Sequence, residues 1–281
     1  MIADDRPPAA PNTTRPRAEP GGAHLHEEPS ETRSRAEQGG AHPFVEQGGA
    51  RLHAEAGDAR PLRRLLAFLD YDGTATTREC NEVVFQEFVG DAWRPFEDDV
   101  RAGRLSHAEC FDRQVGLVRA PRAKLLGALV AAAEPAPGLA AFLAAVRAGG
   151  GRVIVVSAGF REVITTVWRR YGLPPVELVA SELVGEGPNG GPPYHIEYDP
   201  RLGDCPRCGP AHCKAAVLRA RRRPGDTVWV FGDGASDLCP AREADLVFAR
   251  AHLSALCAAE RLPWRPLDFV AARAALAEVS S

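Results

Sequence analysis

Apolar and polar positions divide the chain near residue 60. Beyond it, short apolar runs ending in small or acidic residues alternate with stretches whose apolar residues recur at three- and four-residue spacing. Leu65-Leu66-Ala67-Phe68-Leu69 is too short for a helix and runs into Asp70-Tyr71-Asp72-Gly73-Thr74, which predicts a buried parallel strand ending in a turn. From about Asn81 to Ala133 the pattern predicts helices. Val83, Val84, Phe85, Phe88 and Val89 form an apolar face, Ser106-His107-Ala108-Glu109 has capping-box spacing, and Pro121 is placed to open a helix over Arg122–Ala133. His107, in that capped start, reads as a surface residue.

After Gly138 helix and strand signals alternate. Helices are predicted over Leu139–Ala148, Phe160 to about Tyr171, Lys214–Arg222, His252–Glu260 and Phe269–Val279. Strands are predicted over Arg152–Val156, Val176–Ala180, Thr227–Phe231 and Leu246–Ala249, with a hairpin turn at Pro188-Asn189-Gly190-Gly191 and a loop from Cys205 to Cys213. Such alternation predicts an α/β fold: a doubly wound, Rossmann-like parallel sheet, here with a helical cap inserted at about residues 78–136 after the first strand.

The first sixty residues hold only six large apolar side chains, too few to offset the entropy of ordering them, and predict a disordered, low-complexity tail with four of the eight histidines. They carry 10 acidic and 7 basic residues, which accounts for the whole formal net charge of −3. The remainder, residues 61–281, is charge-balanced and offers no electrostatic footprint for nucleic acid or an anionic membrane. No signal peptide or spanning segment is legible, and seven cysteines, an odd number, in a chain of 281 residues read as reduced thiols of a cytoplasmic protein.

Three predicted strand ends carry polar groups: Asp70 and Asp72, Ser157 and Gly159, Asp233 and Asp237. In a parallel sheet they share one edge, where such folds bind ligands. Asp70 and Asp72, two apart on a strand end, point the same way, and such a pair needs a cation or a shared proton. Asp70 and Asp233 are oxygen ligands suited to Mg²⁺. Ser157 and Gly159 at a helix start suit an anion, and Lys214 would bring a charge to the same phosphate.

Together Asp70-x-Asp72-Gly73-Thr74, Ser157, Lys214 and Gly232-Asp233-x-x-x-Asp237 resemble the four motifs of the haloacid dehalogenase superfamily of phosphatases, over about residues 62–281. The resemblance implies an Mg²⁺-dependent phosphomonoesterase. Asp70 would be the nucleophile that becomes aspartyl-phosphate, and Asp72 the general acid and base, with its backbone carbonyl on the metal. Asp70, Asp72, Asp233 and Asp237 would form the metal site of one Mg²⁺ per chain. Gly73, Thr74, Ser157, Ala158, Gly159 and Lys214 would hold the phosphoryl group. Ser157-Ala158-Gly159-Phe160-Arg161 resembles the Ser-Gly-Gly-Phe-Arg of phosphoserine phosphatases, with Ala158 replacing a glycine, so that φ there must be negative or strained.

A cap implies a small phosphorylated metabolite as partner, with Glu79, Asn81 and Arg161 expected near the mouth, either as substrate-selecting residues or as surface salt-bridge partners. Cys205-Pro-Arg-Cys208-Gly-Pro-Ala-His-Cys213-Lys214 resembles the phosphatases of 2-hydroxy-3-keto-5-methylthiopentenyl-1-phosphate and, more loosely, the phosphocholine/phosphoethanolamine phosphatases. Phosphoserine hydrolysis, transfer to an acceptor other than water, and a catalytically silent binding protein on the same scaffold are the other readings. Cys205, Cys208 and Cys213 have spacing that could bind Zn²⁺ with His212 or His195, but small buried thiols in a loop are the preferred reading.

Overall fold

The computed structural model describes residues 62 and 64–279; the expected tail over residues 1–60 lies outside the described residues. In chain order the elements are β1 (Leu65–Leu69), α1 (Cys80–Val89), α2 (Arg94–Arg101), α3 (His107–Leu117), α4 (Arg122–Ala132) and α5 (Leu139–Ala148). There follow β2 (Arg152–Phe160), α6 (Arg161–Arg170), β3 (Glu177–Gly185), β4 (Tyr194–Glu197), β5 (Gly203–Cys205), β6 (Gly209–Cys213) and α7 (Lys214–Arg221). The chain ends with β7 (Thr227–Gly232), α8 (Leu238–Ala241), β8 (Leu246–Ala249), α9 (Ala251–Ala259), β9 (Trp264–Pro266) and α10 (Phe269–Val279).

Seven strands form one sheet in the order β4-β3-β2-β1-β7-β8-β9, parallel except for β4. β1 is at its centre, and every one of its five residues is buried, because a central parallel strand is covered on both faces. Its side chains alternate accordingly. Leu65, Ala67 and Leu69 pack into the larger core with α5, α10 and the helices after β1, whereas Leu66 and Phe68 face the core formed with α7, α8 and α9. The sheet is therefore the middle of three layers, and burial on both sides of β1 fixes the position of Asp70 at its carboxyl end.

The four helices α1–α4 intervene between β1 and α5, as the sequence predicts. Ser106 and Glu109 form the expected reciprocal cap, and Pro121 is the N-cap of α4. This helical layer is tied to the strand side by Tyr194 Oη donating to Ala120 O at 2.7 Å, Asp112 accepting from Ile196 N at 2.8 Å, and Tyr198 Oη donating to Ala108 O at 2.8 Å.

Four features differ from expectation. β2 continues past Val156 to Phe160 through an irregularity in its pairing with β3, so Ser157 and Gly159 lie on the irregular strand end. β3 runs to Gly185 because it pairs with β4 there, and Glu182 interrupts the apolar run that would reveal this. The Cys205–Cys213 segment is a hairpin of β5 and β6 rather than a loop. β9 escapes notice because Trp264, Arg265 and Pro266 are exposed on the sheet edge, where a proline is tolerated. Among the described residues no helix is long and apolar enough to cross a membrane, and all seven cysteines are free.

Candidate active site

The strand ends of β1, β2 and β7 converge on the floor of a cavity of about 1060 Å³, the size of a small-molecule site. Asp70 is fixed there by its own backbone, whose N–H donates to Phe231 O on β7 at 3.0 Å. Its Oδ1 accepts from Tyr71 N at 2.7 Å and lies 2.6 Å from Lys214 Nζ. Lys214 opens α7 and is buried; its Nζ also donates to Asp237 Oδ1 at 2.8 Å. Asp237 in turn accepts at Oδ2 from the backbone N–H groups of Asp233 and Gly234, at 3.2 and 3.3 Å. One ammonium thus neutralises part of a cluster in which carboxylates outnumber it.

The turn after β1 is as constrained. Gly73 has φ +69°, and a Cβ there would lie 2.7 Å from Glu79 Oε1 and nearer still to Asp233 Oδ2. Only glycine lets the turn pass this close to two carboxylates. Thr74 Oγ1 donates to Asp233 Oδ1 at 2.9 Å, so its hydroxyl serves Asp233 rather than pointing free into the cavity. Likewise Gly159 N donates to Ser157 Oγ at 2.9 Å. Ala158 is not among the residues with positive φ, so replacement of glycine there carries no backbone strain.

Asp72 has a different environment. Its Oδ1 accepts from Cys80 N at 2.6 Å, and its Oδ2 from Asn81 N at 3.1 Å and Asn81 Nδ2 at 2.8 Å. The carboxylate therefore sits on the first turn of α1, where helix N–H groups are unsatisfied and negative charge is favoured. Oxygen atoms of Asp70, Asp233 and Asp237 come within 4.8 Å of one another, and the Asp72 carboxyl is not part of that group.

Burial sets the electrostatics. It pushes the Asp72 carboxyl up to about 6 against the hydrogen bonds from Cys80 and Asn81. It pushes Asp233 up to about 9, with Glu79 adding to the effect, and Glu79 up to about 7. Asp70 is raised well above the usual carboxylate range by burial and by the charge of Asp237, with Lys214 opposing. Lys214 is held above the ordinary lysine value by Asp237 and Asp70 in spite of its burial. Three buried carboxylates around one ammonium are short of positive charge, and their hard oxygens fit a divalent cation such as Mg²⁺.

The residues expected at the mouth separate. Glu79 lies against Asp233, and Asn81 is occupied by Asp72; both line the cavity. Arg161 does not. Its guanidinium donates to Glu182 Oε1 at 2.7 Å, to Asp199 Oδ2 at 2.9 Å and to Ala180 O at 2.6 Å, which pins α6 to β3. An arginine at a helix start beside a phosphate motif reads the same in sequence whichever way it turns, and here two acids on and after β3 claim it.

The sequence reading misses the opposite wall. His107 lines the cavity instead of lying on the surface, and its ring stacks on that of His212 at 6.3 Å. His212 is buried, has Tyr198 edge-on at 5.4 Å, and is pushed down to about 3 by that burial and by Lys214, so it is uncharged. Phe85, Trp93 and Phe111 from the helical layer complete an apolar side. Only tertiary packing brings these residues to the strand ends, and local periodicity carries no sign of it.

Comparison with known proteins agrees with this geometry. Residues 67–242 match the family of haloacid dehalogenase-like hydrolases. A 2-hydroxy-3-keto-5-methylthiopentenyl-1-phosphate phosphatase of Geobacillus kaustophilus is 27% identical, over 73% of this chain and 91% of its own length. The protein of the same name from Microcystis aeruginosa is 30% identical, over 72% of this chain and 92% of its own. Among solved structures, a probable phosphoserine phosphatase from Vibrio cholerae superposes with a TM-score of 0.57 at 20% identity, covering 79% of this chain and 67% of that one. The phospho-aspartyl intermediate analogue of a phosphoserine phosphatase gives 0.54 at 18% identity, with 73% and 94% covered. Both structures share the fold of this chain. With the matched region running from Ala67 in β1 through β7 and α8, and including the three strand ends that hold Asp70, Ser157 and Asp233, the chain belongs to the haloacid dehalogenase-like hydrolases.

Proposed function

We propose that this hydrolase is an Mg²⁺-dependent phosphomonoesterase for a small phosphorylated metabolite, working through an aspartyl-phosphate on Asp70. The observation that carries the reading is the contact of Asp70 Oδ1 with Lys214 Nζ at 2.6 Å on the cavity floor, beside two further carboxylates that call for a cation. Asp70, Asp233 and Asp237 would hold the Mg²⁺. When bound, the cation supplies positive charge to the phosphoryl oxygens and to the carboxylates around them.

The chain's own residues divide the remaining work. Lys214, itself held by Asp237, fixes Asp70 in place and favours its ionised form, the form that attacks phosphorus, against burial and the charge of Asp237. The attack joins Asp70 Oδ to the phosphoryl group and breaks its bond to the substrate oxygen. Asp72, lifted towards neutrality by burial, gives a proton to the leaving alkoxide and then removes one from the water that cleaves the acyl phosphate. Ser157 Oγ and the Lys214 ammonium, which already bridges Asp70 and Asp237, would orient the phosphoryl group, whereas the Thr74 hydroxyl and the Gly159 N–H are committed to Asp233 and Ser157. The helical layer encloses the site and limits it to small substrates.

Substrate choice follows the wall. Phosphoserine needs charged partners for its ammonium and carboxylate groups; Arg161 is already spent on Glu182 and Asp199, and of the arginines that line the cavity Arg101 and Arg104 pair with Asp98 and Asp99. An apolar side made by Phe85, Trp93 and Phe111 instead suits a small phosphate ending in a methylthio group, as named for the curated relatives. The test is phosphate release with Mg²⁺ from the methylthiopentenyl phosphate, phosphoserine, phosphocholine and phosphoethanolamine, for the wild type and Asp70→Asn. Release from the first compound by the wild type alone is expected. Equal rates in the two proteins would overturn the nucleophile, and preference for phosphoserine would overturn the substrate.

A further inference from the structure

Four cysteines stand together outside the active site. Cys205 and Cys208 come from the β5–β6 hairpin, Cys213 is the N-cap of α7, and Cys239 lies in α8; their sulfurs are all within 4.8 Å of one another. Cys239 Sγ is 4.0 Å from Cys205 Sγ and 3.6 Å from Cys208 Sγ. A tetrahedron with Zn–S bonds of about 2.3 Å has edges of about 3.8 Å, so these separations match a tetrathiolate zinc centre and are far longer than a disulfide. We propose that Cys205, Cys208, Cys213 and Cys239 bind one structural Zn²⁺, as a closed site that takes no part in the chemistry.

Two further observations favour a metal over four thiols packed as small apolar residues. The hairpin has three- and five-residue strands with a shift in register, and two strands alone are marginal in water. The cluster around its sulfurs consists of Cys208, Cys213 and Ala215, with Cys205 and Cys239 against them, so the thiols themselves make up most of the apolar contact there. In addition, Cys208 N donates to Cys205 Sγ at 3.2 Å, and Gly209 takes φ +88° to bring the chain back, which forms a turn with two sulfurs on one side. Neither histidine considered as fourth ligand belongs to the group. His212 is turned towards His107 and Tyr198, and His195 pairs with Glu186 at 3.3 Å.

The place of the centre gives it a purpose. Cys213 directly precedes Lys214, and Cys239 follows Asp237 by two residues, so the metal would staple together the two segments that meet in the Lys214–Asp237 ion pair. On binding, four thiols lose their protons to solvent and four S–Zn bonds form, with no change in oxidation state. This reading does not depend on the phosphatase assignment.

The experiment is metal analysis of the full chain, purified without chelator and then incubated with ZnSO₄ and desalted. It compares the wild type, Cys205→Ser and Asp233→Asn. About one equivalent of zinc is expected in the wild type and in Asp233→Asn, with loss in Cys205→Ser. Mercurial titration of the wild type, which needs no variant to fold, should release the zinc as four thiols react. Absence of zinc with all thiols free would overturn the proposal. So would a mass lowered by disulfide formation, or zinc lost from Asp233→Asn and kept by Cys205→Ser, which would place the ion among the carboxylates.

Discussion

Lys214 Nζ lies 2.6 Å from Asp70 Oδ1 and 2.8 Å from Asp237 Oδ1, so one buried ammonium joins the end of β1 to the loop after β7. The three side chains are almost without solvent contact, and each charge depends on the others. Lys214→Met is therefore expected to lower stability by about 3–5 kcal/mol at neutral pH, the usual cost of leaving a buried charge unpaired. Denaturant unfolding at pH 7 and pH 5 measures it. The loss should shrink at pH 5, where the orphaned carboxyls more readily take up protons; a loss that is small at both values would contradict the pairing.

The raised carboxyls give the metal-free protein a definite pH dependence. Asp72, Glu79 and Asp233 bind protons more tightly when folded, at about 6, 7 and 9, than the ordinary carboxylate values near 4. Their protonated forms favour folding at low pH, and that contribution is lost as pH rises from about 4 through about 9. A cation that takes up the liberated charge should reverse the loss. The gain in Tm on adding Mg²⁺ is expected to be larger at pH 8.5 than at pH 5.5. An equal gain at both would show that these carboxyls are not the binding site.

Gly73→Ala tests the turn that brings Asp70 and Asp233 together. The left-handed conformation costs a non-glycine residue about 1–2 kcal/mol, before any displacement of Glu79 and Asp233 by the added Cβ. Reduced stability by at least that amount and weaker Mg²⁺ dependence of phosphate release are expected together. Unchanged metal dependence would mean that Asp233 and Glu79 can retreat without consequence.

Arg161→Ala separates a structural arginine from a substrate-reading one. It removes the charged hydrogen bonds to Asp199 and Glu182, and a decrease in stability of about 1–3 kcal/mol is expected, moderated by Arg201, which also holds Asp199. KM for the hydrolysed phosphate should stay within about twofold of wild type if the guanidinium does not face substrate. A large rise in KM without loss of stability would return Arg161 to the binding site.

The sheet was legible because parallel strands buried on both faces are short, apolar and end in small or acidic residues. Asp70, Ser157 and Asp233 could thus be placed on one edge, and Lys214 at the start of a helix beside them, before any contact was known. What escaped depended on direction rather than position. Arg161 and His107 occupy helix starts whose sequence does not say which way the side chain turns: Arg161 takes the salt-bridging alternative, and His107 turns into the cavity instead of onto the surface. Cys239 stood twenty-six residues from the nearest of the other three cysteines, so no spacing rule joined them. The exposed β9 and the polar half of β3 lack the apolar run that marked the rest.

Asp72 accepts hydrogen bonds from Cys80 and Asn81 in the first turn of α1, the helix that begins the layer over the site. If Asp72 is the acid and base proposed above, the proton it gives and takes is exchanged at the first turn of the helix that begins this layer. By thermodynamic reciprocity, whatever loosens α1 from the turn must change the acidity of Asp72 by the same free energy. Release of α1 from the turn and protonation of Asp72 are then one equilibrium seen from two ends.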